Sequence, residues 1–224
     1  MKNCCLLSMI LFLMISCAGS PELVPIRQPL LPDGERRCMI PFPDRDRQLV
    51  HSIQASMPGG QEAVVIGVTS ISPKTGAVAC VMMTVEGLVL FDAQYDGRMV
   101  IHRALPPFDS MAFARGLMDD IHLIFFPPKG PLVASGMSEA GAWVCRYRTE
   151  KGAMADIVIH KDHSWEIRQY NHDLRLIRSV ATDPAGPKAG GREAALPVRL
   201  KLAAFGPSEY ALTLDLIEVR DVGE

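Results

Sequence analysis

The chain lacks the short motifs that position catalytic groups in several common classes of enzyme. Its 224 residues contain no GxSxG, no HExxH and no glycine-rich loop of the kind that cradles phosphate. None of its cysteines stands in a CxxC pair, which is the arrangement of many redox and zinc sites. From these absences we predict a protein without enzymatic activity and without a cofactor.

Clustered positive charge is also missing. The 23 basic and 25 acidic residues are interspersed along the chain and leave a formal net charge of −2. Proteins that follow nucleic acid phosphates need Lys and Arg concentrated on one surface. We therefore expect no nucleic acid partner.

The histidines form only a weak metal-binding pattern. His160 and His163 flank a predicted turn with Asp162 between them, and His172 lies at the next turn. Three imidazoles and a carboxylate can ligate a metal ion, but polar turn residues explain the same positions. We predict no metal site.

The N-terminal apolar run, Cys4 to Ile15, is too short to span a bilayer, which takes ~20 residues. It follows the positively charged start Met1-Lys2-Asn3 and has the length typical of a signal peptide. The stretch Met14-Ile15-Ser16-Cys17 resembles a bacterial lipobox, whose cysteine is lipidated and becomes the first residue of the mature chain. This pattern predicts a lipoprotein signal peptide over residues 1–16 and a lipidated Cys17.

A lipid at Cys17 would tether the protein to a membrane. A thioether-linked diacylglycerol with an amide-linked chain such as palmitate supplies the two or more hydrophobic signals that stable anchoring takes. Ala18 and Gly19 follow the cysteine, which favours sorting to the outer membrane under the enterobacterial rule. We expect a lipid-anchored protein at the periplasmic face of the cell outer membrane. The alternative is an ordinary cleaved signal with an incidental Cys17.

Three cysteines remain after the lipidation site, in a compartment where disulfides persist. Cys80 and Cys145 lie in apolar strand patterns. A bridge between them and two buried thiols are equally compatible with the sequence, and a bridge would leave Cys38 unpaired.

The segment before the folded domain is rich in proline. Six prolines without apolar periodicity lie between residues 18 and 47, which predicts a stiff, extended tether over residues 17–47. We place the folded domain at residues 48–224.

Short alternating strands joined by turn residues fill most of this domain. Asp96-Gly97 between two alternating runs is a strong hairpin signal, because both turn residues must accept positive φ. A change of phase at Leu216-Ile217 predicts a β-bulge in the last strand. About eleven strands are predicted, over residues 48–57, 62–71, 77–85, 88–95, 98–104, 142–149, 153–160, 164–170, 174–181, 196–204 and 209–219.

One convincing amphipathic helix separates two β-rich halves, and Asp109 or Ser110 can cap its start. Because negative charge is unfavourable at a helix C-terminus, Asp119 and Asp120 predict that it ends near Asp120, with residues 122–126 extended. Its apolar face has the three-and-four spacing of a helix and comprises Met111, Ala114, Leu117, Met118 and Ile121.

The predicted fold is mainly β with one main helix. Strand 77–85 is apolar on both faces, so apolar matter should cover both faces of this half. We expect one curved sheet, an incomplete antiparallel β-barrel, with the helix covering its concave face.

Three stretches resemble a family of bacterial outer-membrane lipoproteins with the LolA/LolB-like fold. They are residues 87–91 (GLVLF), 95–97 (YDG) and 117–127 (LMDDIHLIFFP), in which Phe126 stands where the family commonly has Trp. The resemblance implies lipid or lipoprotein handling at the outer membrane. The membrane-inserting loop of the lipoprotein receptor has no matching position here, so a general carrier of acyl chains is the closer expectation.

The expected function is binding of an acyl chain, a lipid or a lipidated partner in a hydrophobic cavity of the half-barrel. Methionine adapts well to variable apolar ligands, although plain core filling also explains the methionines. The alternative is a structural or assembly lipoprotein that docks an envelope protein and has no ligand cavity. The residues expected to line the cavity are Val81, Met83, Leu90, Met111, Leu117, Met118, Ile121 and Phe125.

Overall fold

The computed structural model describes residues 23–26, 28–29, 34–149, 152–183, 196–207 and 209–222. The predicted signal peptide and the lipidation site at Cys17 lie outside these ranges. The helices are α1 (Gly34–Cys38) and α2 (Met111–Phe125). The strands are β1 (Gln28–Pro29), β2 (Arg47–Met57), β3 (Gln61–Ser72), β4 (Ala77–Met83), β5 (Val89–Tyr95), β6 (Met99–Ala104), β7 (Leu132–Met137), β8 (Trp143–Arg148), β9 (Met154–Ile159), β10 (Trp165–Tyr170), β11 (Leu176–Thr182), β12 (Arg199–Ala204) and β13 (Tyr210–Asp221).

All thirteen described strands join one antiparallel sheet, in the order β1-β7-β8-β9-β10-β11-β12-β13-β2-β3-β4-β5-β6. Pairing of β13 with β2 joins two meanders, one before α2 and one after it. The edge strands of this described sheet, β1 and β6, do not pair with each other, so the barrel is incomplete. The predicted fold class is confirmed.

The eleven predicted strands are all present, and two more accompany them. Strand β7 lies in a segment containing Ser135 and Gly136, outside the eleven predicted strands. It becomes a strand because β8 supplies a long hydrogen-bonding partner. The predicted bulge is confirmed, since the register of β13 against β2 shifts between Leu216 and Glu218.

Helix α2 begins as predicted and ends later. The Ser110 hydroxyl accepts a hydrogen bond from the Phe113 amide at 3.1 Å, which caps the first turn. The helix continues to Phe125, so the predicted end at Asp120 was wrong. Asp120 is buried among partners on the sheet and does not face the helix C-terminus, and Ile124 extends the buried face.

The core lies between α2 and the concave face of the sheet. Phe113, near the start of α2, meets Phe91 of β5 edge to face, with ring centroids 5.4 Å apart. Phe125, at its end, lies 6.1 Å from the ring of His51 on β2. The helix is therefore held to the sheet at both ends by ring contacts, each worth ~0.5–1.5 kcal/mol beyond area burial for aromatic pairs.

Strand β4 has one buried and one partly exposed face. Val78 and Cys80 are 2% and 5% exposed and belong to the core, whereas Ala79 between them is exposed. The expectation that both faces are covered was therefore wrong for this strand. Burial raises the pKa of the free Cys80 thiol to about 12, so the thiol is neutral and unreactive.

A disulfide joins Cys38 to Cys145. The Cys80–Cys145 bridge that the sequence allowed is therefore wrong, and Cys38 is not the unpaired cysteine. Helix α1 contacts β8 and brings Cys38 to Cys145, whereas Cys80 lies on β4 in the other meander. Both bridged cysteines are fully buried. Part of the segment predicted as a tether therefore packs against the sheet.

A second contact holds the N-terminal segment on the outer face of β8 and β9. Val24 and Ile26 pack against a small cluster that includes Val144. Arg146 donates a hydrogen bond to the Val24 carbonyl at 2.8 Å and two more, at 2.7 and 2.8 Å, to the fully buried Asp156. This bidentate pair satisfies a carboxylate that would be costly to bury alone.

Candidate functional site

A cavity of about 550 Å³ lies beside the C-terminal half of α2. This volume falls in the range of ~300–1,000 Å³ that is usual for small-molecule sites. One wall is formed by the helix and the segment after it, with Met118, Leu123, Phe126, Pro127 and Pro128. The opposite walls are formed by Tyr95, Met99, Ala153, Ala155 and Ile177. The cavity thus lies beside α2, between β5 and β6 of one meander and β9 to β11 of the other.

His122 is held rigidly in the wall of this cavity. Its ring lies 5.4 Å from that of Tyr95 and 5.0 Å from that of Phe126. Its Nδ1 is 2.7 Å from the Met118 carbonyl oxygen, and a carbonyl can only accept, so Nδ1 carries a proton. The buried Nε2 has no hydrogen-bond partner among the described residues.

A buried polar cluster fastens α2 to the sheet beside the cavity. Asp120 accepts a hydrogen bond from the Tyr210 hydroxyl. Its Oδ1 lies 3.1 Å from Arg178 Nε, as an ion pair without the alignment of a hydrogen bond. Burial raises the pKa of Asp120 to about 6, and the Arg178 charge and the Tyr210 hydrogen bond oppose the rise.

The rim of the cavity carries charge. Arg115 and Asp119 are exposed on α2, Lys129 is exposed after it, and Arg178 reaches in from β11. Within the described part of the chain, no hydrogen bond or ion pair engages Arg115 or Lys129. The lining also includes the polar side chains of Thr149, Gln169, Asn171 and His172. A cavity with both apolar and polar or charged walls favours a ligand that has both characters.

Comparison with solved structures identifies the architecture. A LolA superfamily protein from Nitrosomonas europaea superposes with a TM-score of 0.55 at 11% sequence identity, covering 84% of this chain and 92% of that protein. A DUF1329 family protein from Desulfovibrio piger superposes with a TM-score of 0.50 at 12% identity, covering 86% of this chain and 92% of that one. The chain has a LolA/LolB-like fold. No protein-family model and no curated protein matches the chain.

Within this LolA/LolB-like fold, the predicted helical lining residues have different positions. Met118 lines the cavity. Ile121 and Phe125 are 6% and 4% exposed in the core under the helix, and Leu117 packs against that core. Met111 is 49% exposed at the start of α2.

The predicted strand residues do not line this cavity. Val81 and Met83 alternate with core residues of β4, and Leu90 precedes the fully buried Phe91 of β5. Successive side chains of a strand point to opposite faces, so these three lie on the face away from α2. Because β4 is apolar on both sides, its sequence does not distinguish the two faces.

Several residues that line the cavity of this protein were not predicted from its sequence. Ala153, Ala155 and Ile177 come from the second meander, where only the histidines had been considered as ligands, and of those histidines His172 lines the cavity. Tyr95 adjoins the Asp96-Gly97 turn, whose hairpin was predicted without a role for the ring. No local pattern marks these residues, because which strands of the two meanders face each other depends on the curvature of the whole sheet.

The structure separates the histidines that the sequence brought together. His160 and His163 lie in the turn before β10, whereas His172 follows β10. Six strand residues span ~20 Å, which is too far for one metal ion. The described residues contain no group of three metal-ligating side chains and no helix with the length and hydropathy of a membrane span.

Proposed function

We propose that this protein is a lipoprotein of the bacterial envelope that binds an acyl chain, a lipid or a lipidated partner in the cavity beside α2. The observation that carries the proposal is the cavity itself, a space of about 550 Å³ between the helix and an open sheet, whose lining includes ten aliphatic and aromatic residues beside nine polar or charged ones. It acts by binding and not by catalysis.

Burial of a chain supplies the driving force. Each methylene group removed from water contributes ~0.8 kcal/mol, so ten such groups contribute roughly 8 kcal/mol. Loss of translational and conformational freedom opposes this by several kcal/mol. A long chain therefore binds with useful affinity, and a small apolar molecule does not.

The N-terminal sequence supports the same proposal. A lipid at Cys17 would hold the domain at the periplasmic face of the outer membrane, where acyl chains and lipidated proteins are the nearest apolar ligands. Because Val24 already packs against the sheet, only residues 18–23 separate the predicted lipid from the domain, which keeps the domain near that surface. The anchor then concentrates the cavity where its ligand is found.

The described lining supports a binding role over nucleophilic catalysis. It contains neither Ser nor Cys. Its one threonine, Thr149, donates its hydroxyl hydrogen to the Ala153 carbonyl at 3.2 Å. A hydroxyl engaged with a carbonyl has no base to activate it.

A cavity-filling substitution tests the proposal. Ala153 is partly buried in the wall, so Ala153→Trp should occupy the cavity and abolish binding of a fluorescent fatty acid. Ala211→Trp is the matched control, because Ala211 is exposed on β13 outside the cavity. Circular dichroism verifies that both variants fold. Equal binding by the two folded variants would place the ligand elsewhere and overturn the proposal.

A second candidate function is docking of an envelope protein, and the hairpin turns favour it. The turns of β2–β3, β4–β5, β10–β11 and β12–β13 share one end of the sheet, as the strand registers require. Exposed apolar side chains occupy all four, namely Met57, Val85, Leu88, Leu174 and Phe205. Turns at the other end carry polar residues such as Lys74 and Asp96.

Photo-crosslinking in cells distinguishes the second candidate. A crosslinking residue at Val85 or Phe205 should yield a discrete protein adduct if this end docks a partner, and one at Lys74 should not. Ala153→Trp should leave such an adduct unchanged. An adduct lost in Ala153→Trp would instead place the partner at the cavity.

A further inference from the structure

We propose that the cavity selects an amphiphile with one acyl chain and an anionic headgroup, an inference that rests on the proposed function. Three observations carry it: the sign of the charge around the cavity, the separation of charged rim from apolar wall, and the volume. Each is independent of the others.

The charge around the cavity is opposite in sign to that of the whole chain. Arg115, Lys129 and Arg178 line it together with a single carboxylate, that of Asp119, whereas the chain as a whole carries −2. Asp120, behind the wall, offsets Arg178. Even then the two remaining cations outnumber the one anion, so the rim attracts negative charge.

The cations are available to a ligand. Arg115 and Lys129 are exposed and make no ion pair or hydrogen bond within the described ranges. Arg178 is 21% exposed and uses its Nε against Asp120, which leaves other guanidinium donors, because the group carries five N–H bonds. Planar guanidinium groups suit carboxylate and phosphate oxygens.

Charged and apolar groups occupy different depths. The charged side chains Arg115, Asp119 and Lys129 are exposed, whereas Met118 and Ala155 are each 3% exposed. A ligand that satisfies both places its chain inward and its headgroup at the rim. An uncharged chain contacts only the apolar inner residues, and a free anion contacts only the charged residues at the rim.

The volume fits one chain. A space of about 550 Å³ lies in the lower half of the ~300–1,000 Å³ range of sites that hold one small molecule. We therefore assign one acyl chain to the cavity. The headgroup remains at the mouth, where it is partly solvated.

Competition among ligands of one chain length tests the preference. Dodecanoate, dodecanol and dodecyltrimethylammonium are compared as displacers of a fluorescent fatty acid from the full chain at low salt. Dodecanoate should displace it at about tenfold lower concentration than dodecanol, as two or three partly exposed charge pairs allow. The advantage should shrink in 1 M salt, where screening acts over ~3 Å.

Two further comparisons show whether the anion that binds at the rim is a lipid headgroup or a free phosphate. Lysophosphatidylglycerol should displace the probe better than lysophosphatidylcholine of the same chain, because its phosphate carries an uncompensated charge. Inorganic phosphate should not displace it, since it buries no chain. Displacement by phosphate alone would identify a simple anion site and overturn the inference.

A matched pair of double variants locates the charges responsible. Arg115→Gln with Lys129→Gln should reduce the tenfold preference to about threefold or less and leave dodecanol unaffected. Arg98→Gln with Arg103→Gln removes the same charge from exposed positions outside the cavity and should leave the preference intact. An equal effect of the two double variants would show only long-range attraction and would contradict a rim site.

The outcomes separate this inference from the proposed function. If all three dodecyl compounds displace the probe equally, the chain-binding function stands and the anionic preference fails. If the ammonium compound is preferred, the sign is wrong and the inference is overturned. If none displaces the probe, the proposed function fails together with the inference.

Discussion

At the scale of single residues, the unusual feature is a carboxylate buried beside a cavity with apolar walls. Asp120 is 5% exposed and meets Arg178 and the Tyr210 hydroxyl. Burying a charge is costly unless it is paired, and removing one partner costs more than the pair contributes. The contacts of Asp120 with Arg178 and Tyr210 hold α2 on the sheet, so the stability of this packing depends on whether Asp120 is protonated.

Asp120 should give stability a dependence on pH that Asp120→Asn lacks. Its pKa is about 6 in the folded protein, raised from 3.8 chiefly by burial. The folded state binds the proton more tightly, so the free energy of unfolding decreases as pH rises from about 4 to about 6. Urea unfolding of both proteins should show the difference between variant and parent moving in favour of the variant by on the order of 2 kcal/mol across this window. A constant difference would contradict the assignment.

His51 should act in the opposite direction. Burial lowers its pKa from 6.5 to about 4, against the weaker effect of Asp215. The neutral His51 contributes to the free energy of unfolding above pH 6.5. This contribution is lost as pH falls from 6.5 through about 4, because the unfolded chain takes up the proton at a higher pH than the folded chain does. His51→Gln should therefore lose less stability than the parent on acidification over that range, measured by the same urea titration. A steeper loss in the variant would refute the sign.

Residue-level prediction from the sequence was limited by periodicity, which selects a face of a helix and not the residues of that face that line a cavity. The helical spacing identified Met118, which lines the cavity. It did not distinguish Met118 from Ile121, which lies three residues on and packs in the core. On β4 the apolar pattern is the same on both faces, so the sequence could not show that Val81 alternates with the core residues Val78 and Cys80. Only the tertiary position of α2 resolves these cases.

At the scale of elements, local signals predicted starts and turns better than ends. Ser110 caps α2 as its residue type predicts, and the eleven strands follow from alternation and turn residues. The end of α2 was missed because Asp120 has partners far away in sequence. Strand β7 was missed because glycine and serine have low strand propensity, and this segment is extended through its pairing with β8.

The cap of α2 should contribute measurably to stability. Ser110→Ala removes the acceptor for the Phe113 amide and should reduce the free energy of unfolding by about 1 kcal/mol. Ser110→Asp, which keeps an acceptor, should lose much less. Urea unfolding measures both. If the two substitutions cost the same, the hydroxyl does not cap the helix.

The disulfide links α1 to β8 across a long stretch of chain. Its cysteines are 107 residues apart in sequence, so removing the bridge with Cys38→Ala and Cys145→Ala should cost about 2–4 kcal/mol. Cys80→Ala removes a buried thiol without a bridge and is the control, with an expected loss of about 1 kcal/mol. Equal losses, measured by urea unfolding, would show that the bridge adds nothing beyond burial.

At the scale of the whole molecule, the open sheet explains both the fold and the site. Two meanders join through β13 and β2, and their far edges stay apart. Helix α2 covers the concave face, and the cavity is the gap beside it that β5 and β6 line from one meander and β9 to β11 line from the other. Alternation and turns in the sequence predicted the meanders. The gap follows from the curvature of the whole sheet, which no local pattern encodes.

The most direct test of a chain-binding cavity is native mass spectrometry of the protein purified from its own envelope. The parent and the exposed control Ala211→Trp should each carry a non-covalent adduct that is released on activation and identified by extraction as a molecule with an acyl chain. Ala153→Trp, folded but with its cavity filled, should carry none. An adduct of equal abundance on all three proteins, or on none of them, would contradict the account.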